Sequence, residues 1–274
     1  MLSPLEPLLK EARTQKKAVG SFNAVCIEFV DGIVSAADEL GQPIIVALSE
    51  SHLKFIDMET FLWAVRSRSE RASIPVSAQF DHAQTPDSIE TALRNGFPSV
   101  MYDGKGLDYE EKVRMTAELV RMAHSYGAVL EAPLGTIGSK GREESELTDP
   151  DLVEDFVNRT GIDILAVSVG TTHGLSAGEA RLDLLRLGRI TSSCRVDISL
   201  HGGSGVPDDD YAKAVALGVN KISIFTRLSQ AAVLAVKDVM TRDKYRYPDF
   251  LPATRDAVNA TVKSLLALFS QQDR

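Results

Sequence analysis

Cysteine is scarce in this sequence, which has two cysteines among 274 residues. Cys26 and Cys194 form no CxxC pair and give no disulfide framework, a pattern typical of proteins from a reducing compartment. The chain also lacks an apolar run of the ~18–20 residues that a membrane-spanning helix needs. Its first residues lack the apolar stretch of a signal peptide. We therefore expect a cytoplasmic protein.

A basic excess is missing as well. The chain has 30 lysine and arginine residues against 38 aspartate and glutamate residues, which gives a formal net charge of −8. This charge disfavours nucleic acid or an anionic membrane as the main partner. The composition, 44% hydrophobic and 25% charged, is typical of a globular enzyme with a large core. The expected partner is a small molecule.

Short β-branched runs alternate along the chain with longer amphipathic segments, the pattern of a parallel sheet wrapped by helices. The predicted strands are Ala18–Asn23, Pro43–Leu48, Val76–Phe80, Ser99–Tyr102, Ala128–Glu131, Asp163–Val169, Asp197–Leu200 and Lys221–Ile224. These alternating elements predict a closed (β/α)₈ barrel, a fold that typically takes ~250 residues. We expect one domain over residues 1–274, with an extra N-terminal helix and a C-terminal helix over Pro252–Ser270.

Three of the five histidines follow strands of the predicted barrel. His82 comes after the third strand, His173 after the sixth and His201 after the seventh. Active sites of such barrels lie at the C-terminal ends of the strands, and three imidazoles with an open position make a catalytic zinc site. Each histidine alone is more commonly structural, but together they predict one zinc ion per chain. His124 lies on the polar end of a helix, and His52 lies near a strand end but opens a helix or loop, so both are expected to be structural or surface residues.

Carboxylates also lie near the predicted mouth of the barrel. Asp81 immediately precedes His82, which suits an acid/base that exchanges a proton with a substrate hydroxyl. The alternative for Asp81 is a carboxylate that orients a metal-binding histidine. Asp103 and Glu131 end the fourth and fifth strands, and we expect them to orient the metal ligands or contact the metal transiently. Their alternative is a charge pair or a contact with a helix N-terminus.

A glycine-rich turn, His201–Gly205, follows the seventh strand and precedes a helix. Such a turn allows consecutive backbone N–H groups to face an anion. Phosphate sites in barrels commonly use the loops after strands seven and eight, and Thr226 at the end of the eighth run adds a hydroxyl and an N–H group. The pattern indicates a phosphate site beside the predicted metal.

With these motifs in order, the chain resembles the class II, zinc-dependent ketose-bisphosphate aldolases of the fructose- and tagatose-bisphosphate type. The matches run from Ser21 to about Ala232, nearly the whole barrel. They include Phe80-Asp81-His82, Ser99–Gly104, Leu134–Gly138, Gly170–Gly174 and His201–Pro207. An ordered set of this kind is highly specific.

The resemblance implies that His82, His173 and His201 bind zinc and that Asp81 is the catalytic acid/base. The positions that match substrate or phosphate contacts are Asn23, Ser49, Gly174, Gly202, Ser204 and Thr226. The implied reaction cleaves a phosphorylated ketose through a metal-stabilised enediolate, and gives a dihydroxyacetone-phosphate-like product and an aldehyde. We also expect a homo-oligomer, a dimer or a tetramer.

The chain departs from the family pattern at several positions near the substrate. Pro133 stands where the family's Glu-x-Glu-Leu-Gly has its second carboxylate. The acidic residue that handles the enediolate proton is missing from the next loop, where Glu143 and Glu144 are the nearest substitutes. The family's Lys-x-Asn-Ile-x-Thr-Asp becomes Lys221–Arg227 here, so the asparagine and the aspartate are replaced, by Ser223 and Arg227.

These departures predict an aldolase for a substrate other than fructose 1,6-bisphosphate. Arg227 is expected to bind an anionic group of that substrate, and apolar Phe225 disfavours hydroxyl contacts. The alternative for Arg227 is that it turns outward and pairs with a surface carboxylate. Two other functions stay open: a zinc-dependent sugar-phosphate isomerase or epimerase, and a catalytically weak sugar-phosphate-binding homologue.

Overall fold

Eight parallel strands form a closed barrel in the computed structural model, which describes residues 2–141 and 146–270. Consecutive strands are neighbours around the barrel, and the eighth pairs with the first. The strands are β1 (Val19–Asn23), β2 (Ile44–Ser49), β3 (Val76–Ala83), β4 (Ser99–Tyr102), β5 (Val129–Leu134), β6 (Ile164–Val167), β7 (Asp197–Leu200) and β8 (Val219–Ile224). The predicted (β/α)₈ barrel is confirmed.

Helices connect the strands on the outside, as parallel strands require. Within the described ranges they are α1 (Leu5–Thr14), α2 (Ile27–Glu39), α3 (Met58–Ser69), α4 (Pro86–Asn95), α5 (Tyr109–Ser125), α6 (Val153–Thr160), α7 (Leu184–Ser193), α8 (Asp208–Ala216), α9 (Thr226–Met240) and α10 (Phe250–Phe269). Helices α3, α4 and α5 begin with capping side chains, Asp57, Thr85 and Asp108, which accept backbone N–H groups. None of the described helices is long and apolar enough to cross a membrane.

The large apolar core lies between the strands and the helices. Phe22 of β1 stacks on Phe269 of α10, and Phe80 of β3 packs on Phe97. Alternate strand residues point to the barrel interior, where many are polar. The buried polar residues of the strands include Ser21, Ser77, Gln79, Ser99, Glu131, Ser199, Lys221 and Ser223. The barrel interior below the mouth is therefore rich in hydrogen-bonding groups.

Helix α1 closes the N-terminal end of the barrel. Its residues Leu5, Leu8 and Leu9 pack with Val19 and Ile45 in a separate apolar cluster. Full burial of each leucine stabilises the fold by about 1.5–3 kcal/mol. Helix α10 packs outside the barrel against α2 and α9. Both extra helices are confirmed.

Several element boundaries near the mouth differ from the predicted ones, and β3 and β5 each run three residues further, to Ala83 and Leu134. The sixth strand ends at Val167, because Ser168 leaves the ladder and exchanges hydrogen bonds with Thr148. The apolar spacing after the eighth strand predicts a helix over Leu228–Thr241, but helix α9 begins at Thr226. The earlier start places Thr226 at the N-terminus of a helix that opens onto the mouth of the barrel.

Candidate active site

A cleft of about 720 Å³ opens at the C-terminal mouth of the barrel. Its walls are the βα loops, where the sites of such barrels lie. The predicted site residues that line it are Asn23, Ser49, Asp81, His82, Asp103, His173, Gly174, His201, Gly202, Ser204 and Thr226. Glu131 is fully buried, and neither it nor Arg227 lines the cleft.

The three predicted metal ligands meet in this cleft. One ligand atom from each of His82, His173 and His201 lies within 4.8 Å of the others. His82 Nε2 and His201 Nδ1 are 3.1 Å apart, close to the roughly 3.3 Å that separates two nitrogens on a tetrahedral zinc ion with ~2.05 Å bonds. The donor set thus fits one metal ion that keeps a position open for substrate.

Two carboxylates determine which ring nitrogens face each other. The Nδ1 of His82 donates to Asp103 Oδ1 at 2.7 Å, and the Nε2 of His201 donates to Glu131 Oε1 at 2.7 Å. An ionised carboxylate can only accept, so these two nitrogens carry the protons. The opposite nitrogens, His82 Nε2 and His201 Nδ1, are therefore the ones that can bind a metal.

The electrostatics of the cluster also suit a cation. Burial lowers the pKa of His173 to about 3 and lowers that of His201, so both rings are neutral near pH 7. Burial also opposes the charging of His82, but Asp81 and Asp103 outweigh it and raise its pKa to about 9. Against burial, His82 in turn holds the pKa of Asp103 well below its usual range. The ionised carboxylates around the three imidazoles favour a divalent metal, which replaces the proton on His82 Nε2 when it binds.

A distorted strand end brings Asp81 and His82 into the cleft together. Successive strand residues normally point to opposite faces, yet both line the cleft. The register between β3 and β4 shifts between Phe80 and Ala83, and His82 has a φ of 57°. A left-handed backbone costs about 1–3 kcal/mol for a residue other than glycine. The bulge therefore directs a base and a metal ligand from adjacent positions to the same site.

His173 is held by pairing between two loops. Its N–H donates to the Gly138 carbonyl, and the Lys140 N–H donates to the His173 carbonyl, both at 2.9 Å. Gly170 has a φ of 100°, and a Cβ there would lie 2.1 Å from the Arg181 carbonyl oxygen. Because the backbone approaches so closely, the loop after β6 requires glycine at this position.

The two carboxylate oxygens of Asp81 have different surroundings. Its Oδ2 accepts a hydrogen bond from Asn23 Nδ2 at 3.0 Å. Its Oδ1 is buried and has no hydrogen-bond partner within residues 2–141 and 146–270. Although burial raises the pKa of Asp81, His82 and His201 outweigh it and lower that pKa. Asp81 is therefore an ionised carboxylate with one oxygen able to accept a proton.

Glu131 belongs to a buried charge cluster, which corresponds to the charge pair that the sequence analysis gave as its alternative, but the partner was not predicted. Lys221 of β8 has no exposed surface, and its Nζ lies 2.9 Å from Glu131 Oε2. The same Nζ donates to the hydroxyls of Ser199 and Ser223 at 3.2 and 3.1 Å. The signal in the sequence that could have predicted this cluster was a lysine and a glutamate within otherwise apolar strands.

The glycine-rich turn and the start of α9 lie side by side in the cleft wall. Gly202 has a φ of 63°, which favours glycine. Ser204 Oγ accepts the N–H groups of Phe225 and Arg227 at 3.3 and 3.4 Å. Thr226 is the first residue of α9, and the N-terminus of a helix attracts anions. Together these groups make an environment suited to a phosphate.

The sequence analysis expected Arg227 to contact the substrate, but the structure does not place Arg227 in the cleft wall. Its Nη1 lies 2.7 Å from Asp208 Oδ1, while Nε and Nη2 donate to the carbonyls of Ser204 and Val206. This corresponds to the alternative in which Arg227 turns away and pairs with a carboxylate. The physical reason is the early start of α9, which puts Arg227 in the first helical turn behind the glycine-rich loop.

The cleft is also lined by residues that the sequence analysis did not assign to it, among them His52, Lys105 and Lys140. The ring centroid of His52 lies 4.5 Å from that of Phe225, and burial lowers the His52 pKa. His52 lies just beyond the end of β2, so its strand-end position was the signal that pointed to the mouth. His124, by contrast, pairs with Asp163 away from the cleft.

Comparisons with known proteins agree with this geometry. The family model "Fructose-bisphosphate aldolase class-II" matches residues 3–274. YdjI of Escherichia coli K12 is 35% identical over 243 residues, 87% of each chain. The crystal structure of the YdjI aldolase has a TM-score of 0.88 at 31% identity and covers 98% of this chain and 97% of that one. A fructose-bisphosphate aldolase of Thermus caldophilus is 33% identical over 298 residues, 97% of each chain. The chain therefore belongs to the class-II fructose-bisphosphate aldolase family and is an aldolase-type lyase.

Proposed function

We propose that this protein is a zinc-dependent aldolase that cleaves a phosphorylated ketose other than fructose 1,6-bisphosphate. The observation that carries the proposal is the buried, unpartnered Oδ1 of Asp81 in the same cleft as three converging imidazoles. This pairing of a base with a metal site supports proton removal from a substrate hydroxyl. Relatives named as fructose-bisphosphate aldolases support a phosphorylated sugar as the substrate class.

Zinc is the metal that the donor set supports best. Three imidazoles and an open position are typical of catalytic zinc sites, and imidazole suits zinc better than it suits magnesium or calcium. When bound, zinc supplies Lewis-acid stabilisation of negative charge on substrate oxygens. His82, His173 and His201 would hold the ion, while Asp103 and Glu131 orient two of the rings through the 2.7 Å hydrogen bonds described above.

Asp81 acts on the proton that starts cleavage. Its Oδ1 accepts the proton of the hydroxyl on the carbon of the scissile bond that becomes the aldehyde. The O–H electron pair becomes the second bond of the aldehyde carbonyl, and the electron pair of the broken carbon–carbon bond passes to the other fragment as an enediolate. Protonation of that fragment at carbon yields the dihydroxyacetone-phosphate-like product. Asn23 orients Asp81 by donating a hydrogen bond to its Oδ2.

The group that returns the proton to the enediolate is not assigned. Glu143 and Glu144, the nearest substitutes for the family's acidic residue, lie outside the described residues. Gly174, Gly202, Ser204 and Thr226 remain the proposed phosphate contacts, and all of them line the cleft.

The side chains around Phe225 support a changed substrate. Ser223 replaces the family's asparagine, Phe225 lies two residues further on, and both line the cleft. Phe225 packs between Phe29 and His52, with ring centroids 6.5 and 4.5 Å away. An aromatic wall there lacks the hydrogen-bonding groups that discriminate among sugar hydroxyls, and a missing polar contact changes specificity strongly.

A substrate panel tests the proposal. Zinc-loaded protein is incubated with phosphorylated ketoses and keto acids of different length and stereochemistry, and each is paired with its unphosphorylated counterpart. We expect a phosphorylated ketose to have the highest kcat/KM, well above that of fructose 1,6-bisphosphate, and removal of zinc by a chelator to abolish turnover. If fructose 1,6-bisphosphate is the best substrate, the altered-substrate part of the proposal is wrong. Full turnover without metal contradicts the zinc assignment.

A further inference from the structure

Arg227 and Tyr211 lie behind the glycine-rich loop, and neither lines the cleft. We propose that these two side chains position the loop over residues 202–206 for phosphate binding, so that Arg227 acts on the substrate through the loop without touching it. The inference rests on the proposed phosphate site. It replaces the direct contact that the sequence predicted for Arg227 with a positioning role.

The guanidinium of Arg227 is bound on three sides. Its Nε donates to the Ser204 carbonyl at 2.9 Å, and its Nη2 donates to the Val206 carbonyl at 2.5 Å. Its Nη1 pairs with Asp208 at 2.7 Å, and the side chain is 13% exposed. A planar guanidinium with several fixed donors suits this arrangement, whereas an ammonium group cannot span three acceptors in one plane.

Tyr211 of α8 supports the same loop from below. Its hydroxyl donates to the Gly203 carbonyl at 2.8 Å, and the residue is fully buried. Burial raises the pKa of Tyr211, so the hydroxyl keeps its proton and remains a donor. The Arg227 guanidinium lies 5.4 Å from the Tyr211 ring centroid, a distance at which cation and ring attract each other.

The carbonyls held in this way determine where the N–H groups of the loop point. In a planar trans peptide the carbonyl and the following N–H lie on opposite sides. The Gly203 carbonyl accepts from the Tyr211 hydroxyl and from the Val206 N–H, so the Ser204 N–H points away from both donors, and Ser204 itself lines the cleft. The Ser204 carbonyl faces Arg227, and the Gly205 N–H is engaged with Gly202 at 3.2 Å. The Ser204 N–H is therefore preset to donate to an anion.

The loop is also packed too tightly to shift easily. A Cβ on Gly203 would lie 2.9 Å from the Ser223 carbonyl oxygen, and one on Gly205 would lie 2.7 Å from Leu175 Cβ. The acidic residue that the family usually has at position 227 cannot donate to loop carbonyls. Arg227 therefore supports the loop in a way that an acidic residue at this position cannot, and replacing the acidic residue by Arg227 is compatible with phosphate binding.

Phosphate titration of conservative variants tests the inference. Zinc-loaded wild type, Tyr211→Phe, Arg227→Lys and Arg227→Met are titrated with inorganic phosphate by calorimetry, and kcat and KM are measured with the best phosphorylated ketose. Loss of one hydrogen bond predicts a roughly 3- to 10-fold weaker phosphate affinity for Tyr211→Phe. Arg227→Met is expected to lose at least as much, with Arg227→Lys in between. KM rises in each case, while kcat changes little.

The control is Arg68→Met, which removes a guanidinium paired with Asp31 between α2 and α3. It is expected to leave phosphate affinity unchanged. Unchanged affinity in Tyr211→Phe, alone or together with Arg227→Met, overturns the inference, because Tyr211 can act only through the loop. Wild type that does not bind phosphate overturns it as well. Wild type that binds phosphate but cleaves no phosphorylated ketose contradicts the proposed function alone, and the variant titrations still decide the role of the loop.

Discussion

Asp81 combines three properties that a base for hydroxyl deprotonation needs. It is 2% exposed, it is ionised because neighbouring histidines lower its pKa, and one oxygen has no partner among the described residues. Asn23 occupies only the other oxygen. An aspartate held solely to orient a histidine would instead direct its free oxygen at that ring, and the His82 nitrogen is 3.8 Å from the oxygen that Asn23 already binds.

Replacing Asp81 by asparagine keeps the shape and the polar contacts but removes the base. We expect Asp81→Asn to retain zinc and fold and to lose roughly 10²–10⁴-fold in kcat, the usual contribution of general acid/base catalysis. Steady-state kinetics with metal analysis measures both. Near-normal turnover in zinc-loaded Asp81→Asn would assign Asp81 a role in orienting its neighbours only.

The metal ligands allow an independent prediction. Three imidazoles are the donor set that the described residues provide, so His173→Ala and His201→Ala are each expected to lose the one zinc ion per chain that wild type is expected to carry. His124→Ala, which removes a partly exposed histidine paired with Asp163, is the matched control and should keep zinc. Metal content after dialysis measures the difference. Full zinc occupancy in both His173→Ala and His201→Ala contradicts the site.

The direction of individual side chains was the least predictable feature at this scale. The strand-end positions of His82, His173 and His201 were sufficient to predict that they converge. The orientation of Arg227 was not predictable, because it depends on the start of α9 and on carbonyls more than twenty residues away in the chain. The positive φ of His82 was likewise not predictable, because it follows from a bulge for which the sequence has no recognisable pattern.

Strands β5 and β8 share a buried ion pair beneath the cleft. Glu131 and Lys221 are both fully buried, and Glu131 also accepts from His201 and Gln79. A buried pair is costly to break by removing one partner, because the other charge is left without compensation. The pair therefore couples the stability of the barrel interior to the orientation of a metal ligand.

Lys221→Met is expected to lower the free energy of unfolding by about 3–5 kcal/mol. The double variant Glu131→Gln/Lys221→Met should recover part of that loss, because it leaves no unpaired charge and glutamine can still accept from His201. Chemical denaturation of metal-free protein gives the three values needed for the comparison. A double variant whose loss equals the sum of the two single losses would show that the pair is not coupled.

This cluster shows the limit of pattern reading for strands. Alternation of β-branched residues correctly predicted all eight strands, but a charged residue in a strand ordinarily faces solvent. In a closed barrel the inner face is buried as well, so a lysine at an inward position needs a carboxylate from another strand. Which strand supplies it depends on the register between β5, β7 and β8, which the sequence does not reveal.

The two ends of the barrel serve different purposes in the whole molecule. Helix α1 seals the N-terminal end with leucines, whereas the metal ligands and the base lie at the opposite end. In barrels of this kind the N-terminal face contributes stability and the C-terminal face carries the chemistry. The single-domain organisation, the homo-oligomer and the cytoplasmic location stay predictions.

Leu9→Ala tests this separation. Leu9 is fully buried, so its truncation is expected to lower the free energy of unfolding by about 2–5 kcal/mol. Zinc affinity and kcat should remain near wild type at temperatures where the variant is folded. Denaturation curves and zinc titration check both halves of the prediction. A folded Leu9→Ala protein that has lost zinc would show that the two ends are coupled.

The most direct test of the account is the identity of the products. Zinc-loaded enzyme is incubated with the best phosphorylated ketose, and the mixture is followed by NMR and mass spectrometry. The account predicts two carbonyl fragments in equal amounts, one of them a dihydroxyacetone-phosphate-like triose phosphate, formed at the rate at which the ketose disappears. A single rearranged ketose of unchanged mass, or ligand that is bound and recovered intact, would contradict it.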